Sequence, residues 1–133
     1  DFCLSRGLGD VYKRQEEEYL ATIDSLNWPD GITLPDKLED EDTGASFQVG
    51  YGETRASYLW EYSWMKEWLD TYNTDPERAE KALEELEKAF DMPYMGIDRC
   101  DDATRNYLRE NIDKAKLGDP SGFTESIRAN YAN

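Results

Sequence analysis

The 133-residue chain contains no histidine, and only two cysteines, three methionines and five prolines. Without imidazole there is no Ser-His or Cys-His dyad, no general base of ordinary near-neutral pKa and no imidazole-ligated metal. No stretch approaches the roughly 20 consecutive apolar residues that span a bilayer. Basic residues are scarce as well. Fifteen Lys plus Arg face 30 Asp plus Glu, giving a net charge of −15 and a pI near 4.3. A polyanion of this density repels nucleic-acid phosphate and anionic lipid headgroups, so the expected partners exclude nucleic acid, and the segment itself is not expected to insert into a membrane. Carboxylate and hard-cation chemistry remain open.

What the chain does have is apolar bulk: 38% hydrophobic residues and 13% aromatic, with four Trp and nine Tyr, despite a mean hydropathy of −0.89. Aromatic side chains bury about 150–250 Å² each, so a core can form, and the length suits one domain.

Residues 1–15 read DFCLSRGLGDVYKRQ and stand apart from the run Glu16-Glu17-Glu18 that follows. Their CLSRGLGDVYKRQ core resembles the translated adapter read-through found at the ends of metagenomic gene predictions. The resemblance implies that 1–15 is non-native, that 16–133 is a single helical domain and that the true amino terminus is missing. Asp1 and Asp10 would leave together with Arg6, Lys13 and Arg14, making the remainder one charge more negative. Cys3 would leave too, so Cys100 becomes a lone thiol with no disulfide partner.

From Glu16 to Leu26, Tyr19, Leu20, Ile23 and Leu26 recur at helical spacing. Pro29-Asp30-Gly31 is turn chemistry, and a long acidic loop is expected over about 27–48, including Asp36 to Ser46. Residues 47–52, Phe-Gln-Val-Gly-Tyr-Gly, suit a short extended piece before a helix over about 50–73. With Trp60 at 0° and ~100° per residue, Trp64, Trp68, Tyr72, Met65, Tyr58, Leu69 and Tyr62 cover ~0–200° of that helix. So wide an apolar arc marks a central helix. Glu53, Glu67, Asp70 and Lys66 are assigned to the wet arc, while Glu61 falls at ~100°, among the aromatics.

Thr74-Asp75-Pro76-Glu77 predicts a capped helix start with Glu77 as the capping-box partner of Thr74. Ala79, Ala82, Leu83, Leu86 and Phe90 form its apolar face, with Glu77/Lys81 and Glu84/Lys88 as i,i+4 pairs. A fourth helix from about Asp101 carries Tyr107, Leu108, Ile112 and Ala115 and stops at Gly118. Asp119-Pro120 opens a fifth with Phe123, Ile127 and Tyr131. The expected fold is all-α: four to five helices around the aromatic helix.

Candidate chemistry is sparse. Glu61 between aromatic rings would have a raised pKa and act as a general acid, or else would be a paired structural carboxylate. Trp60, Trp64 and Trp68 could stack on sugar rings with Glu61 or Glu67 accepting hydroxyl hydrogen bonds, or else form core. Asp98, Asp101 and Asp102 offer hard oxygens for Ca²⁺ or Mg²⁺, or else serve as caps. Gly50-Tyr51-Gly52-Glu53 lacks the Lys-Ser/Thr of a phosphate loop and reads as a turn or close packing. Cys100, followed by two aspartates, reads as inert. No cofactor or metal is expected.

The GYG entry to the aromatic helix, Trp60 and Trp64 four apart, and the Gly118-Asp119-Pro120-Ser121-Gly122 turn before a last amphipathic helix resemble features of uncharacterised actinobacterial helical domains, often secreted or membrane-anchored. The resemblance implies an extracytoplasmic location and transfers no catalytic residue. The residues favour a non-enzymatic interaction or binding domain with an unidentified protein or small-molecule partner. The alternatives are a carbohydrate-active or other carboxylate-dependent enzyme using Glu61, and an acidic decoy that imitates nucleic acid.

Overall fold

A computed structural model describes the backbone of residues 2–32, 34 and 50–130, and the side chains within those ranges from Lys13 onward. The acidic segment 36–46, the extended piece at 47–49 and Tyr131 lie outside the described residues. Among the described residues the fold is all-α, a small bundle without strands: α1 (Phe2–Ser25), α2 (Tyr51–Thr71), α3 (Pro76–Glu87), α4 (Asp102–Lys116) and α5 (Ser121–Asn130). Two 3-10 turns, Lys88–Asp91 and Pro93–Met95, follow α3. The chain groups into two compact units. The first holds α1 with residues 51–59 of α2, and the second holds residues 28–32 with residues 60–130.

In the first unit α1 continues through residue 15 instead of starting at Glu16, since no proline precedes Pro29 to interrupt it. Gln15 is only 1% exposed. A Cβ on Gly52 would lie 2.1 Å from the Gln15 carbonyl oxygen and 3.0 Å from the Tyr19 nitrogen, so α1 and α2 approach backbone to backbone where α2 lacks a side chain. The same contact closes the first turn of α2. Its Gly52 N–H donates to Gln15 Oε1 (3.0 Å) and its Glu53 N–H donates to Glu18 Oε1 (2.9 Å). Helix starts leave such N–H groups unpaired and favour nearby negative charge; here the acceptors come from another helix. Gly50, with φ +88°, makes the turn into α2, so the GYG segment supplies both the turn and the close packing expected of it.

The second unit is built on bulk. Trp60, Trp64, Met65 and Trp68 of α2 are at most 3% exposed, as are Leu86, Tyr94, Ile112 and Phe123. Trp68 meets Phe123 of α5 edge-on at 5.4 Å between centroids and stacks on Tyr72 at 4.4 Å. The buried arc of α2 differs from the expected one, for Ala56, Ser57, Ser63 and Thr71 are buried whereas Tyr58, Tyr62 and Leu69 are half-buried. Ser57 and Thr71 turn their hydroxyls onto the carbonyls of Glu53 and Glu67 (2.8 and 2.7 Å), which leaves them apolar toward their neighbours. The arc therefore centres near Trp60 and Trp64, and Glu67, at ~340° on the same wheel, belongs beside it. Its side chain is 11% exposed, against 54% for Lys66 and 61% for Asp70, which do form the wet side.

α3 begins one residue later than expected. Asp75, not Thr74, is the N-cap and accepts from the Arg78 N–H at 3.3 Å, with Pro76 in the first turn. Lys81 and Lys88 do not bridge Glu77 and Glu84; both turn to Glu85 (3.4 and 2.8 Å). Glu85 is 2% exposed, and a buried carboxylate draws whatever cations reach it. Asp101 caps α4 through the Thr104 N–H (2.8 Å), as the sequence suggests. Tyr107, placed on the apolar face of α4 by spacing, is 38% exposed. Gly118 ends α4 in a Schellman arrangement: its N–H donates to Ala115 O (2.8 Å), Asp119 N–H donates to Lys114 O (2.9 Å), and its φ of +83° suits glycine. Asp119 then accepts from Ser121 N–H at the start of α5 (2.9 Å). α5 lies close to α4 at Gly122, where a Cβ would sit 2.6 Å from Asn111 Oδ1.

Candidate functional site

Within the second unit, a cleft of about 250 Å³ is lined by the Trp28-Pro29-Asp30 turn, by Trp64 and Glu67 of α2, and by Glu77, Arg78 and Lys81 of α3. Proline and the following Asp-Gly set the turn, and Gly31 takes φ +82°. Trp64 and Glu67 are three apart and share a helix face. The first turn of α3 places Glu77 and Arg78, and Lys81 follows one turn on.

Two of the lining residues, Glu67 and Arg78, form an ion pair. Arg78 donates from Nε and Nη2 to the two carboxylate oxygens of Glu67, at 2.9 and 2.8 Å, in the bidentate geometry that suits guanidinium and carboxylate. That hydrogen bond and the Glu67 charge hold the Arg78 pKa above its ordinary value, and Asp75 and Asp30 add to the effect. Lys81 is engaged at 3.4 Å by Glu85. Asp30 and Glu77 are exposed, and no Lys or Arg among the described residues forms an ion pair with either. Trp28, Pro29 and Trp64 are the apolar lining residues; Trp28 is half-buried, whereas Pro29 and Trp64 are buried.

The candidates expected from sequence separate under this geometry. Trp64 and Glu67 line the cleft. Trp60 and Trp68 do not; all three indoles, Trp64 included, are at most 3% exposed and belong to the core, and a three-Trp stacking stripe is not presented on the surface. The Trp60 indole N–H has no hydrogen-bond partner. Glu61 is 6% exposed, accepts a hydrogen bond from Tyr94 Oη at 2.8 Å and is not part of the cleft wall. A carboxylate-dependent enzyme needs its acid in reach of substrate, and this position is a buried polar pairing instead. Asp98, Asp101 and Asp102 do not form a metal cluster; among the described residues no group of three such ligands converges. Asp101 is a helix cap, and Asp102 pairs with Arg105. The Arg105 guanidinium also accepts no partner role at the cleft, since it donates to the carbonyls of Met95 (3.2 Å) and Cys100 (2.6 Å), tying the preceding loop to α4. Burial pushes the Cys100 thiol pKa up, Arg105 opposes this, and Asp101 adds to it. The cause first expected, the neighbouring aspartates, is thus secondary.

Sequence spacing did not single out Trp28, Asp30, Glu77, Arg78 and Lys81 as a group. The one signal that bears on them is the turn at 29–31, which brings an indole and a carboxylate next to each other. No family model, curated protein or solved structure matches the chain. No helix among the described residues is long and apolar enough to cross a membrane.

Proposed function

We propose that the chain is a non-enzymatic binding domain and that the cleft between the 28–30 turn, α2 and α3 is its site. The observation that carries this reading is the cleft itself: a concavity bordered by the half-buried Trp28, with Pro29 and Trp64 buried behind it, beside charged groups held by a bidentate ion pair. Pockets that combine apolar surface with a few fixed polar groups are the usual form of small-ligand sites. Against catalysis stand the absence of histidine from the chain and the burial of Glu61 against Tyr94.

The test is amide and indole chemical-shift mapping on the full chain with separate additions of choline, methyl glucoside and acetate. The reading expects saturable shifts confined to residues 28–30, 64–67 and 77–81 for at least one addition. Shifts that are absent, or scattered over the surface without saturation, would overturn it.

A further inference from the structure

We propose that Asp30 is a site of spontaneous main-chain isomerisation, where the Asp30–Gly31 linkage closes to a cyclic imide and reopens as isoaspartate. Closure needs a carboxyl on a short side chain, a following N–H that no Cβ screens, and room for the main chain to turn. Asp30–Gly31 is the one Asp–Gly pair in the chain. It lies outside the helices, between α1 and α2, and both residues are exposed. Gly31 takes φ +82°, and a Cβ built on it would meet nothing within 4 Å, so the surroundings leave space for the rotation that brings nitrogen to carboxyl carbon. The Gly31 N–H donates to no main-chain carbonyl among the described residues.

No other aspartate among the described residues offers all three. Asp24–Ser25 and Asp70–Thr71 also have short following side chains, but they lie in α1 and α2, whose N–H groups are committed one turn back. The Asp102 carboxylate, ahead of Ala103, is held by Arg105. Asp75 and Asp119 precede proline, which has no N–H. At Asp30 the Gly31 nitrogen gives its proton to solvent and attacks Cγ of the protonated carboxyl; the N–Cγ bond forms, the Cγ–O bond breaks and the oxygen leaves as water. Water then adds at the main-chain carbonyl carbon of the ring and the bond from that carbon to nitrogen breaks, so the nitrogen stays on Cγ. Addition at Cγ instead restores aspartate. Nothing is oxidised or reduced, and the net charge is unchanged. The product carries one more carbon in its main chain at the lip of the cleft and holds its carboxylate on Cα.

The experiment holds the folded full chain in mildly acidic and in neutral buffer for several weeks, then maps its peptides with fragmentation that separates aspartate from isoaspartate. Isoaspartate is expected to accumulate at Asp30 and not at Asp24 or Asp70, with a minor species one water lighter at the same place. Asp30→Glu keeps the charge but would need a ring one atom larger, which closes far more slowly, and is expected to lose the product. Gly31→Ala is expected to slow its formation by an order of magnitude. In a parallel sample unfolded in urea, Asp24 and Asp70 are expected to react faster than in the folded chain, since both are released from their helices. If the unfolded chain forms isoaspartate at Asp30 and the folded chain does not, the turn protects the pair and the proposal is overturned. Formation at Asp24 or Asp70 of the folded chain as fast as at Asp30 overturns it too, and so does absence from Asp30 in both samples.

Discussion

At Gly52, α2 touches α1 through main chain, and a single added methyl group would be 2.1 Å from a carbonyl oxygen. Eight residues on, from Trp60 to Trp68, the same helix is held by indoles that are at most 3% exposed, one of them edge-on to Phe123. One half depends on an absent side chain and the other on the largest side chains available. The contrast shows that burial along one helix is achieved by two kinds of fit. In the first, tolerance to added volume is low. In the second, tolerance to removed volume is low.

The largest effect that would break this comparison is at Phe123, which is fully buried. Phe123→Ala is expected to cost about 3–5 kcal/mol, the range for removing a core aromatic, measured by urea denaturation. Gly52→Ala should be next, at about 1–3 kcal/mol, because the main chain of α1 must retreat. Alanine ordinarily stabilises a helix relative to glycine by about 0.5–1 kcal/mol, so a neutral or stabilising result would show that the close approach is not a constraint. Gln15→Ala leaves the Gly52 N–H without its acceptor and is expected to cost about 1 kcal/mol, read in the same assay and in faster hydrogen exchange at Gly52.

The smallest effect concerns pH and sharpens the contrast in how helix starts are closed. Hydrogen bonds from Thr104 hold the Asp101 carboxyl below its ordinary pKa, and hydrogen bonds from Ser121 do the same for Asp119. For a carboxylate whose pKa is lower folded than unfolded, the stabilisation is full above the unfolded value, about 4 for Asp, and is lost as pH falls through the folded value. Calorimetric Tm should therefore fall more steeply for the native chain than for D101N/D119N between about pH 5 and pH 2. Parallel profiles would show that these caps contribute no pH dependence.

How much of this was readable beforehand follows from sequence distance. The starts of α4 and α5 were legible because cap and capped group lie within three residues, as in Asp101 with Thr104 and Asp119 with Ser121. The aromatic helix was legible from its periodicity. Its buried arc was not, because Ser57 and Thr71 count as polar by residue type yet spend their hydroxyls on their own helix. Glu67 was misplaced for the same reason that it matters. A carboxylate counts as a wet-face residue until an arginine eleven positions away neutralises it. The cleft joins three segments, and no local spacing marks such a junction.

The caps on α2 also impose an order of events. Asp75, Asp101 and Asp119 close their turns with residues two or three positions ahead, so α3, α4 and α5 can each nucleate from local sequence. The start of α2 is closed by Gln15 and Glu18, 37 and 35 positions behind. Its first turn is capped only once α1 is in place, and the entropy of closing a loop of that length is met before those hydrogen bonds are gained. During synthesis the capping side chains emerge well before Gly52. Local opening of α1 at Gln15, midway along that helix, would in turn release the start of α2, so the two places open together rather than one by one.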